Sequence, residues 1–180
     1  MTNNKNKVST ITLIGIMSAV ICVLGPLSIP IGPVPVTLTN LAIYIVVGLI
    51  GYKKGTISYL IYMLIGAVGI PVFSGFSGGL SKLFGPTGGY LFGFIFMALI
   101  SGIFFEKFPH NKFMCILGMI LGTLVTYAFG TAWLAYQAEM TFYKALTVGV
   151  IPFIIGDLLK IVVSVFLVAI LRERLKNINR

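Results

Sequence analysis

Residues 151–171 read Ile151-Pro152-Phe153-Ile154-Ile155-Gly156-Asp157-Leu158-Leu159-Lys160-Ile161-Val162-Val163-Ser164-Val165-Phe166-Leu167-Val168-Ala169-Ile170-Leu171. Two opposite charges stand inside an otherwise apolar run. A helix needs about 20 such residues to cross a hydrocarbon core roughly 30 Å thick. A charge at that depth costs at least about 2.5–3.5 kcal/mol on insertion scales, so it faces the bundle interior and marks a functional position. A spacing of three puts Asp157 and Lys160 on one helical face. Pro152 suits a first helical turn, where its missing N–H would be unpaired anyway. Asp157 then lies little more than one turn inside the end of the span, with Lys160 one turn deeper. The plainer alternative is an ion pair that fixes packing, an expensive way to hold a helix that lipid already favours.

The rest of the 180-residue chain has the same character. It is 58% hydrophobic and only 9% charged, against about 25% charged in an ordinary soluble domain. This excludes a soluble globular enzyme and a disordered chain. The net charge of +9 is scattered between apolar runs, whereas charge that serves nucleic acid clusters on one face, so no nucleic-acid partner is expected. Cys22 and Cys115 both fall in apolar runs and are too few for a disulfide scaffold or a zinc site. They read as small packing residues, and no metal is expected. Residues 1–25 look like a secretory signal, with Lys5 and Lys7 before an apolar stretch. No clean small-x-small site precedes Gly25-Pro26, so the stretch reads as a retained first span.

Interruptions in the apolar pattern predict one all-α integral membrane domain over residues 1–180. Its six transmembrane helices fall near 8–25, 37–51, 56–70, 87–105, 113–133 and 145–171. The first connection holds Pro26, Pro30, Pro33 and Pro35 and cannot be regular helix. Tyr52-Lys53-Lys54-Gly55 reads as a tight turn, 71–86 as a glycine-rich connection, 106–112 as a polar turn and 135–144 as a mixed loop. The cations test this map, because cytoplasmic loops carry the excess of Lys and Arg. Lys5, Lys7, Lys53, Lys54, Lys107, Lys112, Arg172, Arg174, Lys176 and Arg180 fall at one set of ends, and only Lys82 and Lys144 at the other. That alternation needs an even number of spans and puts both termini of a multi-pass membrane protein in the cytoplasm. The outer loops are longer, nearly uncharged and rich in Gly, Pro and aromatics, where lids and pockets sit.

Asp157 can accept from ligand N–H groups, while Lys160 can pair with an anionic group or neutralise Asp157. Together they suit a small ligand with donors and a negative end. Gly78 to Tyr90 is the next candidate. Glycine-rich backbone approaches a ligand closely, and irregular backbone at membrane depth is tolerated where it lines a cavity. Thr87 precedes a helix start and suits a cap, leaving N–H groups to meet an anion. No Gly-Lys-Ser/Thr ends this loop, so it is not a Walker loop. Phe73, Phe76, Phe84 and Tyr90 are candidates for an apolar wall. Thr37 and Asn40 share a face at the start of span 2, for a partner helix or for a ligand. Gly15, Ser18, Ala19 and Cys22 form a small-residue stripe on span 1. Such a stripe admits a close neighbour, from this chain or from a separate protein. Trp133, Tyr136 and Tyr143 read as an interfacial aromatic belt.

Three segments now combine: Gly32-Pro33-Val34-Pro35-Val36-Thr37-Leu38, Gly78-Gly79 through Gly85-Pro86-Thr87-Gly88-Gly89-Tyr90, and Pro152-Phe153 through Gly156-Asp157 to Lys160. On these, and nearly the whole chain in order and length, the sequence resembles the BioY family, the biotin-binding S components of energy-coupling factor (ECF) vitamin transporters. The resemblance implies six helices enclosing a vitamin pocket near the outer face. It implies biotin as the transported ligand, with no cofactor. It also implies a transmembrane coupling protein and two cytoplasmic ATPases as partners. It makes Asp157, Lys160 and Tyr90 ligand residues and sets a first-helix small-residue motif against the coupling protein. The stripe at Gly15, Ala19 and Cys22 is looser than the Ala-x-x-x-Ala form of S components generally. Biotin has two ureido N–H donors, a fused thioether ring and an anionic valerate, which Asp157, the aromatics and Lys160 complement. Two alternatives are an S component for another vitamin and a stand-alone carrier. The carrier predicts an internal repeat with paired broken helices, and the sequence has no convincing one. An intramembrane hydrolase needs a carboxylate pair, a Ser/His-type pair or a metal, which one aspartate and one lysine do not supply.

Overall fold

Nearly every apolar run becomes helix in the computed structural model, which describes the backbone of residues 2–178 and the side chains of residues 7–175. Lys5, Lys176 and Arg180, three of the cations behind the charge map, lie outside the described side chains. In chain order the helices are α1 (Thr2–Leu24), α2 (Thr39–Ile50), α3 (Tyr52–Ala67), α4 (Leu80–Leu83), α5 (Gly88–Lys107), α6 (Lys112–Gln137), α7 (Phe142–Gly149) and α8 (Ile154–Ile178). Four stretches are long and apolar enough to cross a membrane: Lys7–Leu24, Gly88–Lys107, Lys112–Gln137 and Phe142–Leu175. α2 has only 12 residues and α3 has 16, about 18 Å and 24 Å of helix.

Four expectations change in detail. The last span is not one helix from 145 to 171, because α7 ends at Gly149 and a 3-10 turn, Ile151–Phe153, precedes α8. Pro152 sits in that turn, where it cannot continue the hydrogen-bond ladder. Tyr52–Gly55 is not a turn but the first turn of α3. The reversal is made by Gly51 alone, at φ +82°, a left-handed conformation that glycine adopts without cost. The proline-rich connection holds a small antiparallel hairpin of β1 (Ser28–Ile29) and β2 (Val36–Thr37). Pro30, Pro33 and Pro35 lie between or beside its strands and have no N–H to extend the ladder. Thr87 stands at the N-cap of α5, but its side chain makes no capping bond.

Packing follows membrane rules. α5 and α6 form a close antiparallel pair in which a Cβ on Gly93 would lie 2.9 Å from the Thr126 Cα. Small residues let backbones approach in the absence of a hydrophobic drive between helices. Hydroxyls inside helices bond back to their own ladder, as in Ser18 to the Ile14 carbonyl at 2.8 Å and Thr126 to the Gly122 carbonyl at 3.0 Å. Ser58 Oγ also donates to the Ile14 carbonyl at 3.2 Å, tying α3 to α1. On α8 the inward face is Asp157, Ile161, Ser164, Val165 and Val168, while Ile155, Leu159, Phe166 and Ile170 point outward. Along its apolar stretch the helix is apolar outside and turns Asp157 and Lys160 inward, the reverse of a soluble amphipathic helix.

The small-residue stripe of α1 divides. Ser18 is buried and Cys22 partly packed against the core, whereas Gly15 and Ala19 are exposed. Trp133 is more than an interfacial ring. Its Nε1 donates to the Gly85 carbonyl at 2.9 Å, and Gln137 donates to the Phe84 carbonyl. Together they fasten the glycine-rich connection to α6. Tyr136 and Tyr143 are exposed, as the belt reading expects.

Candidate ligand-binding site

One cavity, bounded by the β1–β2 hairpin, the start of α5, the middle of α6 and the start of α8, holds the sequence-flagged polar residues together. Thr37, Asn40, Thr87, Tyr90, Asp157 and Lys160 all line it. Asp157 occupies the first turn of α8 and is 7% exposed. Its Oδ1 accepts from Lys160 Nζ at 2.9 Å and from Asn40 Nδ2 at 2.8 Å. Its Oδ2 accepts from the Tyr127 hydroxyl at 2.6 Å. Lys160 Nζ donates further to the Thr37 carbonyl at 2.8 Å. Asp157 and Lys160 form the only ion pair among the described residues.

The arrangement leaves capacity unused. A carboxylate offers about four lone-pair sites and an ammonium three donors. Three bonds reach Asp157 and two leave Lys160. One acceptor position on Oδ2 and one N–H on Lys160 therefore remain for a ligand. The Tyr62 side chain also lines the cavity, and its buried hydroxyl has no hydrogen-bond partner among the described residues. A buried polar atom without a partner in a cavity wall is a hydrogen bond held in reserve. Among the described residues no three His, Cys, Asp or Glu side chains group to hold a metal ion.

The apolar wall differs from the expected one. Of Phe73, Phe76, Phe84 and Tyr90, only Tyr90 lines the cavity. Phe73 is fully buried against Tyr62, with their ring centroids 5.5 Å apart, while Phe76 and Phe84 are 67% and 58% exposed. Phe94, Met97 and Phe153 take their place. Tyr90 is itself committed, since its hydroxyl donates to the Gly149 carbonyl at 2.9 Å and pins the end of α7. Tyr62 and Tyr127 are additions that the sequence reading did not flag. The rule that marked Asn40, a polar group inside an apolar span, marks them too when hydroxyls are counted. The cavity measures about 70 Å³, against roughly 300–1,000 Å³ for ligand pockets in general. It holds a few waters as it stands, and a vitamin-sized ligand requires it to widen.

The sequence matches the BioY family over residues 1–177. The chain belongs to that family. It is 40% identical over 165 residues to the biotin transporter BioY of Thermotoga maritima, covering 92% of this chain and 94% of that one. It is 36% identical over 167 residues to the biotin transporter BioY2 of Lactococcus lactis subsp. cremoris, covering 92% of each. A crystal structure of the S-component for biotin from an ECF-type ABC transporter superposes with a TM-score of 0.86 at 36% identity, over 96% of this chain and 95% of that one. This BioY family member is therefore an all-helical membrane protein with an S-component fold.

Proposed function

We propose that this chain captures biotin at the outer face of a bacterial plasma membrane and serves as the substrate-binding subunit of an ECF transporter. The observation that carries the reading is the Asp157–Lys160 pair, buried in a cavity with one acceptor and one donor still free. The ureido ring goes to the Asp157–Lys160 pair and the Tyr62 hydroxyl, its N–H to the carboxylate and its C=O to the ammonium, and the thioether ring goes to Phe94, Met97 and Phe153. Thr37, Asn40, Thr87 and Tyr90 complete the wall. The relatives named above support biotin over other vitamins. The chain is a single domain that crosses six times with both termini cytoplasmic, as the cation distribution supports. The short α2 completes its crossing with the hairpin before it. A coupling protein and two ATPases supply the energy, since the chain has no Walker loop of its own.

Purified protein titrated with biotin, riboflavin and thiamin tests this directly. Saturable binding of biotin alone is expected. Binding of another vitamin with no response to biotin overturns the assignment. Tyr62→Phe is expected to weaken biotin binding about fivefold, the worth of one hydrogen bond. Its unfolding temperature should hold or rise, because a buried unpaired hydroxyl is removed. Equal affinity in the variant removes Tyr62 from the site.

The exposed part of the α1 stripe is the proposed contact with the coupling protein, with Gly15 and Ala19 facing it and Ser18 and Cys22 behind. Among the described residues nothing lies within 4 Å of a Cβ built on Gly15. Gly15→Val is therefore expected to leave folding and biotin binding unchanged while reducing co-purification with the coupling protein severalfold. Undiminished co-purification moves the contact elsewhere.

A further inference from the structure

Away from the ligand cavity, a cleft of about 970 Å³ opens among the ends of α2, α3, α5, α6 and α8. It shares no lining residue with that cavity. We propose that this cleft binds the headgroup of one anionic phospholipid. Four cations line it: Lys53 and Lys54 from the first turn of α3, Lys112 from the start of α6, and Arg172 from α8. Glu106 and Glu173 line it too, so the cations exceed the carboxylates by two. Among the described residues none of these cations is within ion-pair distance of a carboxylate, the Asp157–Lys160 pair lying elsewhere. A phosphate entering the cleft therefore meets charge that is not already neutralised, and charge-assisted bonds are the strong ones.

Two of the cations are held in place. Arg172 Nε donates to the Gly48 carbonyl at 2.7 Å and its Nη2 to the Phe105 carbonyl at 3.4 Å. Among the described residues only neutral acceptors hold this guanidinium, which leaves its other N–H groups for an anion. The Lys112 ammonium sits 4.9 Å from the Phe166 ring centroid, leaning from α6 across to α8. Preorganised cations lower the ordering cost of binding.

The walls choose the class of anion. Ile50, Phe105, Val165 and Val168 line the cleft beside the cations, and Phe166 and Ile170 continue the apolar surface outward along α8. A free phosphate has nothing to offer those walls. A phospholipid puts its phosphate on the cations and its acyl chains along the helices. Basic pockets between membrane helices on the cytoplasmic side recognise such headgroups. The proposal does not depend on which vitamin the other cavity takes.

The test uses the purified full chain in neutral detergent. Its unfolding temperature is followed against added phosphatidylglycerol, phosphatidylcholine and inorganic phosphate, with native mass spectrometry to count retained lipid. Phosphatidylglycerol is expected to raise the unfolding temperature saturably, with one lipid retained per chain, while the other two have no such effect. Lys54→Gln with Lys112→Gln should weaken the phosphatidylglycerol response at least tenfold, each cation being worth roughly fivefold near a charged headgroup. Biotin binding by that variant should be unchanged. Equal responses to the two lipids, as expected of a cleft reserved for a partner protein, overturn the proposal. So does a response reproduced by phosphate alone, or one that persists in the double variant.

Discussion

Replacing Lys160 by methionine is expected to cost about 3 kcal/mol of stability and to reduce biotin affinity by more than tenfold. The side chains of Lys160 and Asp157 are 12% and 10% exposed and meet at 2.9 Å. Removing one partner of a buried pair leaves an uncompensated charge, at a cost of about 3–5 kcal/mol. The lower end applies because Asn40 and Tyr127 still donate to the carboxylate. Asp157→Asn keeps the shape and one acceptor oxygen, so it should be milder for folding while still weakening biotin more than tenfold. The double variant Asp157→Leu/Lys160→Met separates the two roles. Removing both charges is often neutral for stability, so its unfolding temperature should recover towards the parent while binding stays lost. Thermal unfolding in detergent and a biotin titration read both quantities. Binding that returns in the double variant would reduce the pair to a scaffold.

Gly93→Val should be nearly as damaging, from a position that touches no ligand. Its Cβ would stand 2.9 Å from the Thr126 Cα and 3.2 Å from the Thr126 carbonyl oxygen. Those are backbone atoms of the facing helix and cannot rotate away. Overpacking of a tight contact costs about 1–3 kcal/mol, and here relief comes only by separating α5 from α6. Phe94 and Tyr127 adjoin the two contact residues and line the cavity. Separation therefore draws the Tyr127 hydroxyl away from Asp157, and biotin affinity should fall at least tenfold along with the unfolding temperature. Gly15→Val is the matched control, the same substitution where a Cβ meets nothing. If the two variants unfold alike, close α5–α6 approach is not what holds the cavity.

Some of the site was legible because its signals are local and costly. Asp157 and Lys160 stand out against the apolar residues beside them, and a spacing of three fixes their common face wherever the helix ends. Asn40 and Thr37 are visible by the same contrast. The aromatic wall was not legible. Phe73, Phe76, Phe84, Phe94 and Phe153 all lie in apolar surroundings, and only the path of the chain decides which meet the cavity. The glycine-rich connection turns Phe76 outward at φ +53° and buries Phe73 against Tyr62. Tyr127 lies 30 residues from Asp157 along the chain, and no local pattern links them. The break at Val150 was hidden because α7 and α8 are both apolar, so composition runs continuously across a backbone that does not.

From composition alone the chain was bound to be a helical membrane protein. Lipid offers no partners to backbone N–H and C=O groups, and helices satisfy them within each segment. The inward direction of Asp157 and Lys160 followed from the same solvent, since neither ion is stable against acyl chains. The folded arrangement alone decided which neutral groups complete that ion pair, where Gly15 and Ser18 part company on α1, and that basic turns distant in sequence share one cleft. These depend on how helices sit against one another, and between helices in lipid the deciding forces are close packing and single hydrogen bonds. Such contacts are set by shape at ångström scale, and hydropathy along the chain does not record them.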